Sequence, residues 1–137
     1  MTAQQRLAIT AAIALGLVMV LQLLLAAGFP LGQAAWGGQY QVLPSTLRWA
    51  SFATVWVLGL AAWVVLARAG LAAPGPEPLA MRVATWAFAG FLALNTLGNI
   101  VSSSPAERYV MAPIAFLLVV CFIAVASSPR TRKLASQ

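Results

Sequence analysis

Four apolar runs set the terms for this chain. They occupy residues 7–27, 49–66, 81–101 and 109–126, and each approaches the roughly 20 residues that a helix needs to cross a bilayer. The connections between them, residues 28–48, 67–80 and 102–108, are too short to hold a soluble domain. Composition agrees: 62% of the 137 residues are hydrophobic and 7% are charged, against about 25% charged in ordinary soluble domains. The expected fold class is all-α: one integral membrane domain, residues 1–137, built as an up-and-down four-helix bundle. The first run could be mistaken for a secretory leader, but it exceeds the apolar stretch of such a leader and has no clear small-x-small cleavage site, so it is expected to be retained as a helix.

Charge gives the expected orientation. With four crossings, both termini and the second connection share one side, which carries Arg6, Arg68, Arg82, Arg130, Arg132 and Lys133, while the other side carries only Arg48 and Arg108. This is the positive-inside pattern. It implies a multi-pass protein of the bacterial cytoplasmic membrane, with cytoplasmic N- and C-termini and a basic cytoplasmic tail over residues 127–137. The net charge of +6 is explained by topology and by attraction to anionic lipid, so no nucleic-acid partner is expected. The proline-rich second connection, residues 72–78, reads as a linker.

Polar chemistry concentrates on the outward side. The first outward connection mixes glycine and proline with Phe29, Leu31, Trp36, Val42 and Leu43, which is too apolar for a solvated linker and predicts a structured loop folded onto the helix ends. Gly37 and Gly38 allow positive backbone torsions, and Trp36 beside them would form a pocket wall or sit at the membrane interface. Asn95, Asn99 and Ser102, at i, i+4 and i+7, share one face of the third run. The asparagines are costly against lipid and are expected to point inward, bonding between helices or lining a cavity. Gly90, Leu94 and Gly98 form a neighbouring ridge suited to close packing. The outward charges are Arg48, Glu107 and Arg108; an Arg48–Glu107 bridge would tie the two outward connections together and leave an arginine for an anion. Gln33, Trp36, Gln39, Arg48, Asn95, Asn99, Glu107 and Arg108 are thus the candidate ligand-binding residues of an outward polar cup, with Gln22 a weaker candidate. In the second run, Trp49, Trp56 and Trp63 fall within about 40° of one another on a helix, opposite Ala50, Ser51, Thr54 and Ala61. The small face is expected to pack inward, and the tryptophans to meet lipid or a neighbouring subunit.

Several functions are excluded by what the chain lacks. It contains no histidine, and its lone cysteine, Cys121, falls inside the last apolar run. Histidine-dependent hydrolysis, histidine or thiolate metal sites and paired-thiol redox chemistry are therefore absent, and no cofactor is expected. Neither of its two acids, Glu77 and Glu107, lies within an apolar run, which leaves catalysis only an unusual route such as Glu107 working alone. Small multidrug exporters of similar size depend on an acid in their first span, and this first span has none.

The stretch Gly28-Phe-Pro-Leu-Gly-Gln-Ala-Ala-Trp-Gly-Gly-Gln-Tyr40, with Leu43-Pro44, Leu47-Arg48 and the later Ser104-Pro-Ala-Glu-Arg-Tyr-Val-Met-Ala-Pro113, resembles an uncharacterised family of small bacterial four-span membrane proteins with a GxPxGxxxWGG-type first outward loop. The resemblance implies the same fold and the same outward face, and no activity. The expected function is noncatalytic binding at that face, of a lipid headgroup, a small polar or anionic ligand, or a membrane-protein partner. Membrane lipids are expected neighbours, and a homo-oligomer is one expected assembly. The alternative is a small oligomeric transporter or channel subunit with a path past Gln22, Asn95 and Asn99.

Overall fold

A computed structural model of the chain describes residues 1–73 and 76–129. Four helices form an antiparallel bundle: α1 (Ala3–Ala27), α2 (Ser45–Arg68), α3 (Leu79–Val101) and α4 (Ala112–Ser127), the last entered through a π-helical turn at Glu107–Met111. With that turn included, all four are long and apolar enough to cross a membrane. Most of the basic tail, residues 130–137, lies outside the described residues.

Each helix begins where local chemistry permits, about a turn before the apolar run for α1 and α2 and two residues before it for α3. Thr2 caps α1 by accepting the Gln5 N–H, while the Gln5 side chain accepts the Thr2 N–H, a capping box that satisfies two otherwise orphan donors. Gly28 ends α1 in the left-handed conformation, φ 93°. Pro44 and Pro78 immediately precede α2 and α3. At the π turn the Ala112 N–H bonds the Glu107 carbonyl five residues back, and Pro113, which has no N–H to donate, follows directly.

The helices pair closely as α1 with α2 and α3 with α4, and α1 also lies along α4; α2 and α3 share a thinner seam. Alanines at the centre, including Ala8, Ala11, Ala61, Ala89 and Ala115, let backbones approach. Leu15, Leu92, Phe122, Val65 and Val125 fill the remaining space, and Cys121 packs among them. Hydroxyls in the helices return to their own backbone: Thr85 donates to the Met81 carbonyl and Thr96 to that of Leu92, each at 2.8 Å. On α2 the expected faces hold, with Ser51 and Ala61 buried and Trp49, Trp56 and Trp63 exposed. The Gly90–Leu94–Gly98 ridge corrects its expectation. Leu94 is 71% exposed and nothing lies within 4 Å of a Cβ built on either glycine, because the buried stripe of α3 runs through Thr85, Ala89, Leu92 and Thr96 instead.

The bundle end holding the termini is tightly closed. Arg68, read from sequence as a connection charge, occupies the last turn of α2 and is 3% exposed. Its guanidinium pairs with Glu77 at 2.9 Å and donates to the Ala126 and Ser128 carbonyls at 3.1 and 2.6 Å, capping α4 at the negative end of its dipole. Gln4 adds a bond from α1 to the Val125 carbonyl at 3.3 Å. Arg68→Ala, which strands Glu77 and the α4 carbonyls, is expected to destabilise the bundle by about 3 kcal/mol, read as earlier thermal unfolding in detergent; an unchanged transition would show that this corner carries no stability.

Candidate functional site

The other end of the bundle is organised around Glu107. The sequence Ser104-Pro-Ala-Glu107 is a helix-start signature with proline in the first turn, and the Ser104 hydroxyl does accept the Glu107 N–H at 3.5 Å. The carboxylate, however, does not reach back to the Ser104 amide. It accepts the Ser102 hydroxyl, and Ser102 Oγ in turn accepts the Ser104 N–H at 3.1 Å. The other carboxylate oxygen is thereby left for the first connection, and it accepts the Gly37 N–H at 2.9 Å. Glu107 is 5% exposed and is the first residue of the fourth membrane-length helix.

Gly37 can be presented this way because the chain reverses sharply. Trp36, Gly37 and Gly38 all have positive φ, at 56°, 81° and 67°. For tryptophan this costs about 1–2 kcal/mol, and its indole N–H donates to Ser51 Oγ on α2 at 2.9 Å. Gly38 is also held by proximity, since a Cβ there would sit 2.5 Å from the Ser104 Cβ. The Ser104 hydroxyl donates to the Gln33 carbonyl, a second tie between the two connections. Ala35 and Leu43 pack on Leu25 of α1, with Leu21 and Leu47 alongside. The expected folded loop is therefore present, as a strap from α4 across to α2.

Under the strap lies a cavity of about 430 Å³. Its polar lining comes from Gln22, Trp36, Thr54, Asn95, Asn99 and Glu107, and the remainder is apolar. Leu15, Leu58, Leu92 and Leu118, one from each helix, form its deep end and belong to the central core. Val57 and Phe91, partly exposed, line it from α2 and α3, so its mouth opens along the thin α2–α3 seam. Gln22 is 8% exposed and is one of the lining residues; its side-chain oxygen is buried beside this space with no hydrogen-bond donor among the described residues. Asn95 and Asn99 line it too, without a side-chain hydrogen bond to another described residue; Asn95 is exposed, which corrects the expectation that both asparagines point inward.

Four of the eight candidates therefore meet at the cavity: Trp36, Asn95, Asn99 and Glu107. Gln33 and Gln39 are exposed and do not line it; only the Gln33 carbonyl is used. Arg48 and Arg108 are likewise elsewhere. Arg108 donates to the Ser102 carbonyl at 2.7 Å, and Arg48 donates to the Ala26 carbonyl at 2.9 Å. The anticipated Arg48–Glu107 bridge is absent; among the described residues the ion pair is Arg68–Glu77. The cup is also less polar than expected, an apolar hollow with a polar rim. Gln22, ranked below the others from sequence, is its clearest unsatisfied group, and the signal was present as a lone amide within the first apolar run.

No family model matches the chain, and no curated protein or solved structure does.

Removing the Glu107 carboxylate should release the strap. Glu107→Ala is expected to cost about 3 kcal/mol, since two charge-assisted bonds are lost, whereas Glu107→Gln keeps an acceptor for Gly37 and should cost about 1 kcal/mol. Hydrogen exchange over residues 32–41 checks this: faster exchange in the alanine variant only is the expected pattern, and protection equal to wild type in both would remove the role assigned to Glu107.

Proposed function

We propose that this protein is a noncatalytic membrane protein that binds a small amphipathic molecule in the cavity beneath the strap. The observation that carries this reading is Gln22, which lines a largely apolar space and whose buried side-chain oxygen has no hydrogen-bond donor among the described residues. A buried acceptor without a donor costs about 1–3 kcal/mol, and a guest with an apolar body and a hydrogen-bond donor would satisfy it. Asn95 and Asn99 supply further polar contacts at the rim. Neither Arg48 nor Arg108 lines the space, and the Glu107 carboxylate does, so a neutral donor ligand fits better than an anion. The mouth on the α2–α3 seam supports entry from the bilayer. The apolar deep end supports binding over permeation, because a transport path would need polar groups through the leucines that close it.

The orientation we propose has the termini in the cytoplasm of a bacterial cell and the strap on the outer face of its cytoplasmic membrane. The six-to-two distribution of basic residues supports it. A fluorescent protein fused after Gln137 should fold and fluoresce, and alkaline phosphatase at the same position should stay inactive; the reverse pattern would invert the topology.

Native mass spectrometry of gently extracted protein tests the binding. Wild type should retain a ligand that Gln22→Leu loses by about tenfold or more, the equivalent of one buried hydrogen bond at about 1.4 kcal/mol. Val57→Trp, which narrows the mouth, should slow its uptake. Retention unaffected by either substitution would refute binding in this cavity.

A further inference from the structure

A second hollow, separate from the cavity, lies between the strap-side ends of α1 and α2. It encloses about 580 Å³ and is lined by Leu23, Ala26, Ala27, Ser45, Arg48, Trp49 and Phe52. Arg48 is its only charged lining residue. Its Nε donates to the Ala26 carbonyl, which fixes the guanidinium against the chain reversal at Gly28: a Cβ on Gly28 would lie 3.2 Å from the Arg48 Cζ. Capping α1 thus uses one of its three nitrogens. The two terminal nitrogens have no acceptor among the described residues, and a guanidinium edge with two free nitrogens matches two oxygens of a phosphate.

The rest of the hollow is apolar and faces the surroundings. Leu23, Trp49 and Phe52 are 46%, 71% and 41% exposed, and the Trp49 and Phe52 rings stand edge to face at 6.1 Å. Arg48 and Trp49 lie in the first turns of a membrane-length helix, at the headgroup depth where arginine and tryptophan are favoured. The charge is therefore at the phosphate level and the apolar wall continues toward the bilayer centre. A free inorganic anion would use the first feature and leave the second unexplained.

We propose that this groove is a phospholipid site, in which the Arg48 guanidinium holds the phosphodiester and Leu23, Trp49 and Phe52 receive the adjoining acyl chain. The site does not depend on the ligand of the central cavity, with which it shares no lining residue.

Titration of the detergent-solubilised protein with phosphatidylglycerol, followed by native mass spectrometry, provides the test. The first lipid should bind wild type about fivefold more tightly than Arg48→Ala, the effect of one surface charge near lipid. Arg48→Lys should fall between them, because it keeps the charge and loses the fork. Trp49→Ala leaves the Arg48–Ala26 bond in place and should weaken binding about threefold through lost apolar contact, so it decides the matter if Arg48→Ala fails to fold. Gln22→Leu should bind phosphatidylglycerol as wild type does. Equal affinity in wild type and Trp49→Ala, or full displacement of the lipid by millimolar inorganic phosphate, would overturn the proposal in favour of a nonspecific annulus or a free-anion site.

Discussion

A carboxylate buried at the mouth of a membrane helix is an expensive group, and the strap side of this protein is arranged around satisfying one. Glu107 has no arginine partner; it is held by the Gly37 amide, by the Ser102 hydroxyl and by its place in the first turn of a helix. The consequences propagate through the backbone. Because Glu107 takes the Gly37 N–H, the chain must reverse at Trp36–Gly38; because it reverses there, the Trp36 indole reaches Ser51 on α2. One acid thus joins α4 to α2 through a loop that neither helix contains, above the thinner seam between α2 and α3.

The opposite end solves a similar problem differently. Arg68 is as deeply buried as Glu107, but it has a charged partner in Glu77 and caps the α4 carbonyls directly. Side chains there bond to helix backbone, and Gln4 adds a third element to the same corner. On the strap side the ties run through loop backbone, at Gly37 and Gln33. Side-chain caps on helix ends draw helices together, whereas a loop strap can span a gap. The cavity accordingly lies on the strap side, and the leucines at its floor belong to the central core.

The helices were legible because a bilayer demands long apolar runs, and their ends were read short because capping is polar: Thr2 and Gln5 belong to α1 although no lipid-facing pattern includes them. Helical spacing also brought Asn95 and Asn99 correctly to one face beside the cavity. It could not show that the Gly90–Leu94–Gly98 ridge faces outward, since the buried stripe through Ala89 and Leu92 is small and apolar as well. The loop residues were the hardest to place. Gln33 and Gln39 have the right chemistry for a cup, but the reversal at Trp36 spends backbone groups on the interior and turns those side chains out. Arg48 and Glu107 each had several plausible partners. Which one each took depended on the strap, and three successive residues with positive φ are not written in any short-range pattern when one of them is tryptophan.

Gln22 gives the cavity its chemical meaning. A void lined only by Leu15, Val18, Leu58, Phe91 and Leu118 would be dry and could be narrowed by larger side chains at little cost. An amide at Gln22 is instead buried with its oxygen unmatched, seven residues along α1 from the leucine floor, and the residue lines the same space as Asn95 and Asn99. Leucine at that position would remove the penalty and keep the packing. In the binding role proposed above, polar groups confined to the upper wall of an apolar hollow would set the polarity of a guest, its donor toward the strap and its apolar body toward the leucines. The amide at Gln22 would fix that order beneath the strap that Glu107 ties to α4.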